Sequence, residues 1–280
     1  MKIALIGDLH YPQIDNTIPG LPEAREAFFQ TFIENFLEME ADFHISLGDL
    51  TNYGHTSELM DVYQIIRKSP RNFYHVLGNH DLYAQPRNDV LSLTGQKRYH
   101  AIMAEQIVLV FLDTAREMDL ADWGGWIDEE QLKWFEEIVK NSGTKPMFVF
   151  AHHPVYDTTK NSTNEKGSIH QSIDMWRILE QKKGLGVYFN GHTHVESISK
   201  KVNWKFVQLA ACLDQHSIRL VELNPEQLQI SPIDVTDEIV KENAITVYNN
   251  IKHFKHNPHA RGEESDRKLV INLQNVNQLI

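Results

Sequence analysis

Short apolar runs alternate with longer amphipathic segments along the first two-thirds of the chain. Runs rich in β-branched and aromatic residues predict buried strands at residues 2–6, 43–47, 73–77, 107–112, 147–151 and 187–189. Between them, apolar residues at helical spacing predict amphipathic helices at residues 22–39, 128–139 and 172–181. Strands that alternate with helices are typical of an α/β protein in which helices cover the faces of its sheets.

The pattern changes after Gly191. Four apolar runs follow one another closely and predict consecutive strands at residues 195–199, 206–211, 217–223 and 228–233. From residue 236 the sequence is polar, with a helical pattern at its start and a charged stretch further on. We therefore predict one domain over residues 1–235 and a C-terminal appendage over residues 236–280, formed by a helix and a polar tail.

Composition and charge narrow the class of protein. Apolar residues make up 41% of the 280 positions, which is enough for a sizeable core, and 27 basic against 38 acidic residues give a net charge of −11. That balance argues against a nucleic-acid binder, because little is available to neutralise phosphates. The single cysteine, Cys212, excludes an intrachain disulfide framework and a zinc site built from cysteines. No targeting signal is evident and no run approaches the ~20 apolar residues of a membrane span, so we expect a cytoplasmic protein without a membrane partner.

Side chains of the metal-ligand type come directly after five of the predicted strands. The five groups are Gly7-Asp8-Leu9-His10, Gly48-Asp49, Gly78-Asn79-His80-Asp81, His152-His153-Pro154 and Gly191-His192-Thr193-His194. Ligands of open α/β sheets bind outside the carboxyl ends of the strands, so we expect these groups to converge. Each pair alone is a weak signal that packing could explain, whereas five such groups in one chain favour a metal centre.

In this order the five groups resemble the calcineurin-like metallophosphoesterase superfamily, over residues 7–194. The resemblance implies an α/β fold built as a four-layer α/β/β/α sandwich, with two mixed sheets flanked by helices. The opening Asp8-x-His10 together with Gly78-Asn79-His80-Asp81 is most similar to the class III cyclic nucleotide and glycerophosphodiester phosphodiesterases. Residues after 236 are not covered by it.

The resemblance also implies a ligand set for two metal ions. One ion would be held by Asp8, His10, Asp49 and His194, and the other by Asp49, Asn79, His152 and His192. Asp49 would bridge the two ions, since each carboxylate oxygen has lone pairs to spare. Nitrogen and oxygen ligands without thiolate suit divalent Mn, Fe, Zn or Co rather than Ca, and the identity of the metal stays open. The family pattern places the ligand two residues before the proline, which selects His152 over His153.

His80 is the catalytic residue that the resemblance implies. It would stabilise the transferred phosphoryl oxygens or protonate the leaving alkoxide, with Asp81 expected to orient it. For Asn52 and His55, which follow the second group, a substrate contact and a turn role stay equally open.

The resulting hypothesis is a dinuclear metal-dependent phosphohydrolase that acts on a small phosphate ester. We expect cleavage of a phosphodiester by metal-bound hydroxide, because coordination can lower the pKa of water from 15.7 to roughly 7. A phosphomonoesterase with the same centre is the main alternative. A nuclease would need basic stripes, of which residues 67–71 offer one short cluster, and a non-catalytic scaffold is disfavoured because every ligand position is filled. The oligomeric state stays open.

Overall fold

Two six-stranded sheets form the centre of the computed structural model, which describes residues 1–276. The first sheet contains β1 (Lys2–Ile6), β2 (Phe43–Ser46), β3 (Phe73–His75), β10 (Ser217–Leu223), β11 (Gln227–Asp234) and β12 (Leu269–Asn272), in the order β12-β11-β10-β1-β2-β3. The second contains β4 (His100–Met103), β5 (Val108–Phe111), β6 (Met147–Phe150), β7 (Gly186–Asn190), β8 (Ser197–Lys201) and β9 (Trp204–Gln208), in the order β4-β5-β6-β7-β9-β8. Both sheets are mixed, because β1-β2-β3 and β5-β6-β7-β9 are parallel and the remaining pairings are antiparallel.

Helices cover the outer face of each sheet. They are α1 (Leu21–Glu38), α2 (Thr56–Ile66), α3 (Arg87–Thr94), α4 (Glu129–Asn141), α5 (Met175–Leu179) and α6 (Glu238–Asn250). A short helix α7 (Leu273–Val276) follows β12 directly, and short 3₁₀ turns lie at His80–Leu82 and Glu264–Asp266. The helices α1, α4, α5 and α6 are those predicted from the sequence, whereas α2, α3 and the edge strands β4 and β12 are not. None of these helices combines the length and the apolar run that crossing a bilayer would require.

Strand alternation builds the layers. In β1, Ile3 and Leu5 face the core between the sheets, while Ala4 and Ile6 face the core under the helices of the first sheet. A third core lies between the second sheet and its helices and includes Phe135 of α4. The predicted four-layer α/β/β/α sandwich is therefore confirmed.

The segment after residue 236 packs on the rest of the molecule. Helix α6 buries Val240, Ala244 and Val247 in the same core as α1, and β12 pairs antiparallel with β11. A domain boundary at residue 235 stays a prediction, and residues 277–280 of the predicted appendage lie outside the described residues.

Candidate metal centre

The loops that follow β1, β2, β3, β6 and β7 meet at one edge of the sandwich. The backbone N–H of His192 donates to Asp8 Oδ1 at 3.0 Å, and that of His80 donates to Asp49 Oδ1 at 2.8 Å. These contacts join residues 184 and 31 positions apart in the sequence. The structure thus brings the five groups named above to one place.

The first group of candidate ligands consists of Asp8, His10, Asp49 and His194, whose ligand atoms lie within 4.8 Å of one another. His10 Nε2 faces His194 Nε2 at 3.0 Å, and His194 Nε2 lies 4.0 Å from Asp8 Oδ1. Two imidazole nitrogens that face each other beside two buried carboxylates form a donor set that suits a cation. The residues present therefore fit a divalent metal ion.

The second group centres on His152. Its Nδ1–H donates to the carbonyl oxygen of Leu47 at 2.9 Å, so that Nε2 is the nitrogen that faces the candidate ligands. This Nε2 lies 3.2 Å from Asp49 Oδ2 and 3.1 Å from Asn79 Oδ1. His192 Nδ1 lies at 3.2 Å from the same nitrogen. Asp49 therefore takes part in both groups.

Neighbouring groups fix which atom each ligand presents. His192 Nε2 donates to the carbonyl oxygen of Lys166 at 2.8 Å, which leaves Nδ1 facing His152. The amide Nδ2 of Asn79 donates to the hydroxyl oxygen of Tyr83 at 2.7 Å, which leaves Oδ1 facing the site. Such outer contacts hold metal ligands in one tautomer and orientation.

His153 is close to the second group but its ring is engaged elsewhere. Its ligand atom lies within 4.8 Å of those of His152 and His192. However, its Nε2–H donates to the carbonyl oxygen of Trp123 at 2.9 Å, and its Nδ1 accepts from the hydroxyl of Thr114 at 2.9 Å. Both ring nitrogens are thus used by protein contacts, which supports His152 as the ligand.

Burial and neighbouring charges together set the protonation of the candidate ligands. Burial raises the pKa of the Asp8 carboxyl to about 7. Burial alone would likewise raise the pKa of Asp49, but the imidazoles of His152 and His80 bring it well below its usual value. Burial lowers the pKa of His192 to about 3 and that of His194 to about 4, so both rings are neutral at pH 7. Burial would also lower the pKa of His152, but the carboxylates of Asp49 and Asp8 raise it to about 9. Neutral imidazole is the form that binds metals, so His152 has to release a proton when an ion binds.

Backbone strain is concentrated at the same residues. His10, Asp49, His192 and His194 have φ angles of 53°, 47°, 74° and 52°, in the left-handed region that side chains other than glycine rarely adopt. Each such residue costs of order ~1–3 kcal/mol and persists only where the surroundings enforce it. The strained backbone at these four residues therefore lowers the stability of the fold, and the surrounding structure holds it so that the four side chains point into the site.

Two glycines permit the close approach of the loops. A Cβ at Gly78 would lie 2.1 Å from Asp49 Oδ1, and a Cβ at Gly191 would lie 2.4 Å from Asp8 Oδ2. Any side chain there would displace a candidate ligand.

His80 projects into the same cavity as the candidate ligands. Its Nδ1–H donates to the carbonyl oxygen of Asn52 at 2.7 Å, and its Nε2 lies 4.0 Å from Asp49 Oδ2. The expectation that Asp81 orients His80 is wrong. The Asp81 carboxylate instead accepts hydrogen bonds from Thr51 N at 2.9 Å, Gly78 N at 2.9 Å and His75 Nε2 at 3.0 Å. The 3₁₀ turn at His80–Leu82 sends the two side chains in different directions, so Asp81 ties together the loops after β2 and β3.

The other open positions also have defined contacts. Asn52 Nδ2 donates to the carbonyl oxygen of Lys252 at 2.6 Å, and His55 precedes the first residue of α2, where its N–H donates to Glu58 Oε2 at 3.1 Å. His55 thus has the turn role, and Asn52 connects His80 to the C-terminal segment.

Two parts of the site are not among the residues predicted from the sequence. One is Asp214, whose Oδ2 lies 3.7 Å from His194 Nδ1. It follows the predicted strand at 206–211, so the rule that found the other groups could have found it. The other is the strap, as we call residues 252–257, in which Phe254 packs its ring against His10 and His194 with centroids 5.1 and 5.3 Å apart. A cavity of about 540 Å³ is lined jointly by the strap and by the candidate ligands.

Comparisons with known proteins agree with this geometry. The sequence model of the family described as calcineurin-like phosphoesterase matches residues 1–196. The glycerophosphodiester phosphodiesterase GpdQ of Enterobacter lignolyticus (strain SCF1) is 22% identical over 262 residues, which cover 91% of this chain and 92% of that protein.

Solved structures share the fold. A dimetal phosphatase from Danio rerio superposes with a TM-score of 0.68 at 17% identity, covering 84% of this chain and 97% of that one. GAP50 of Plasmodium gives a TM-score of 0.55 at 13% identity, covering 89% and 94%. With the family match over 196 residues, the chain belongs to the calcineurin-like phosphoesterases and is a hydrolase of the metallophosphoesterase class.

Proposed function

We propose that this protein hydrolyses a small-molecule phosphodiester at a centre of two divalent metal ions. The observation that carries the proposal is the sharing of Asp49 between two groups of candidate ligands, with His80 beside it in one cavity. Two ligand groups joined by a carboxylate suit a two-metal site, which can stabilise both the attacking and the leaving oxygen of an in-line displacement at phosphorus.

Seven residues would hold the ions. They are Asp8, His10, Asp49, Asn79, His152, His192 and His194. Bound there, Mn, Fe, Zn or Co would supply Lewis acidity and a hydroxide nucleophile at neutral pH. Asp8 and Asp49 contribute two negative charges while Asn79 contributes none, so the loaded centre keeps a positive charge that favours a phosphate anion.

The role proposed for His80 is that of a proton donor or an electrostatic stabiliser. Its Nδ1–H is held by the carbonyl oxygen of Asn52, which points Nε2 into the cavity. In the imidazolium form of His80, Nε2–H can donate its proton to the leaving alkoxide or a hydrogen bond to the developing charge on phosphorus-bound oxygen.

Cleavage of a diester is supported by the similarity to GpdQ, which extends over 91% of the chain. A small substrate is supported by the cavity volume and by the net charge of −11, which opposes a polynucleotide. Monoester cleavage with the same residues is the alternative. The cytoplasmic location stays a prediction.

The test is hydrolysis by metal-stripped protein resupplied with Mn, with bis-p-nitrophenyl phosphate and p-nitrophenyl phosphate as substrates. Faster cleavage of the diester supports the proposal, and faster cleavage of the monoester replaces it with the phosphatase alternative. Asp49→Ala, treated in the same way, is the control that separates activity of this centre from that of a contaminant.

A further inference from the structure

The strap is fastened to the candidate metal centre at both ends. At its beginning, Asn52 Nδ2 donates to the carbonyl oxygen of Lys252 at 2.6 Å. At its end, Asn257 Nδ2 donates to the carbonyl oxygen of His194 at 2.9 Å, and Asn257 N donates to Asp214 Oδ1 at 2.9 Å. The backbone between these points therefore has a fixed position over the site.

The middle of the strap contacts the site directly. Phe254 packs against two of the candidate ligands, and the ring of His253 lies 4.8 Å from that of Tyr53. Lys255, the next residue, lines the same cavity as Asp49, His80 and His194. A lysine so placed brings a positive charge to the cavity that the candidate ligands form.

Lys255 differs from the second lysine of the cavity in being free to bind a ligand. The ammonium of Lys166 donates to the carbonyl oxygen of Ala121 at 2.7 Å and lies 4.2 Å from the centre of the Trp123 ring. For Lys255, no carboxylate of residues 1–276 comes within 4.0 Å, so its charge is not neutralised by an ion pair there. A cation without a protein partner in a cavity is suited to an anionic ligand.

We propose that Lys255 is a substrate-binding residue that pairs with the phosphate group of the ester from the wall formed by the strap. This rests on the proposed function and extends it, because it makes a segment beyond the family match part of the substrate site. The strap's fastening allows Lys255 to bind without ordering the backbone first, which saves the entropy that a mobile loop would lose.

The test compares three variants of the Mn-loaded protein. Lys255→Met removes the charge but keeps the aliphatic chain, and Lys255→Arg keeps the charge. Lys252→Met is the matched control, since this lysine lies on the strap but does not line the cavity of the candidate ligands. The measurements are kcat and KM for bis-p-nitrophenyl phosphate, and the affinity for inorganic phosphate by titration calorimetry.

We expect Lys255→Met to raise KM and to weaken phosphate binding, each by about tenfold, the size of one lost charge-assisted hydrogen bond. Metal content and thermal stability should stay unchanged. Lys255→Arg should recover most of the loss, and Lys252→Met should behave as wild type.

Several results would overturn the assignment. They are values for Lys255→Met within twofold of wild type, a loss of bound metal in that variant, a changed KM with unchanged phosphate affinity, and a wild-type protein that does not bind phosphate. If the wild type cleaves neither ester but binds phosphate, the proposed function fails, while the phosphate affinities still decide the role of Lys255.

Discussion

At the scale of single residues, the candidate ligands present defined atoms because their other polar atoms are held by protein groups. The Nδ1–H of His152 is held by Leu47, the Nε2–H of His192 by Lys166, and the amide nitrogen of Asn79 by Tyr83. The free atoms of all three side chains consequently meet around one point. This selection explains why His152 and not His153, with both nitrogens engaged, suits a metal ion.

Asp49 and Asn79 should differ in their effect on metal content. Because Asp49 belongs to both groups, Asp49→Ala should lose both ions, whereas Asn79→Ala should weaken one. Elemental analysis of the purified, Mn-loaded variants measures this difference. Equal metal content in wild type and Asp49→Ala would contradict the ligand assignment.

His80 should act on rate and not on metal. We expect His80→Ala to retain its metal and to lose about 10²–10⁴-fold in kcat. The loss should be largest for poor leaving groups, because these depend most on a proton from His80 as they depart. The measurement is kcat over a series of aryl phosphodiesters, with the exposed His259→Ala as control. A loss that is independent of the leaving group would assign His80 to electrostatic stabilisation instead, and unchanged turnover would make it structural.

His100 should make the fold sensitive to acid. It is half-buried in β4, stacked on Phe111 with ring centroids 4.4 Å apart, and burial together with Lys97 lowers its pKa from 6.5 to about 4. Below pH 6.5 the unfolded chain binds a proton that the folded chain does not, so the free energy of unfolding falls until about pH 4. With allowance for solvent screening the loss is about 1–2 kcal/mol.

The replacement His100→Phe should remove that part of the pH dependence. Urea unfolding at several pH values between 4 and 6.5 gives the slope for each protein. Equal slopes for wild type and His100→Phe would contradict the assignment.

At the scale of elements, the site is made by loops whose ends are fixed by strands and by the strap, which hydrogen bonds fasten to those loops. Asp214, in the loop between β9 and β10, connects the strap to the loop that carries His194. Its Oδ1 accepts from His256 Nδ1 at 2.8 Å and from the backbone of Asn257, while its Oδ2 faces His194. A carboxylate behind a metal-binding histidine orients the ring and raises its basicity.

Asp214→Ala should therefore weaken metal binding by about 10–100-fold and loosen the strap. Metal affinity by calorimetry tests the first effect, and faster hydrogen exchange of the backbone over residues 252–257 tests the second. The control is Asp234→Ala, which removes only a surface ion pair with Arg261. Wild-type metal affinity in Asp214→Ala would show that Asp214 does not position His194.

At the scale of the whole molecule, a buried ion pair connects the two sheets and the tail. Arg219 of β10 pairs with Glu196, which lies between β7 and β8, and its guanidinium also donates to the carbonyl oxygen of Arg267. Both side chains are buried, and burial raises the pKa of Glu196 even beside this arginine. The pair therefore couples the first sheet, the second sheet and the segment that carries β12.

Breaking this pair should destabilise the protein more than removing it. Arg219→Met leaves a buried carboxylate without its partner, which we expect to lower the free energy of unfolding by about 3–5 kcal/mol. The double variant Glu196→Gln with Arg219→Met should recover most of that loss. Urea midpoints measure both, and equal midpoints for the single and double variants would contradict the idea that the unpaired charge is the cost.

Much of the fold could be predicted from the sequence because its layers depend on local periodicity. The alternation seen in β1 assigns Ile3 and Leu5 to one core and Ala4 and Ile6 to another, whatever the rest of the chain does. The α2 helix was missed although Leu59, Val62, Tyr63 and Ile66 have helical spacing. The β12 strand was missed although residues 269–271 are apolar, because this run is only three residues long and follows a charged stretch.

The sequence by itself determined the α/β class and the residues that follow the strands, since parallel strands deliver their carboxyl ends to one edge. Only the tertiary structure decided which ring nitrogen each histidine presents to the site. It also decided that the Asp81 carboxylate accepts hydrogen bonds from Thr51 and His75, and that the strap forms part of the cavity. These depend on contacts between residues distant in the sequence, such as the 200 positions between Asn52 and Lys252. Packing of α6 on α1 brings the strap to the site, and no local sequence pattern predicts this packing.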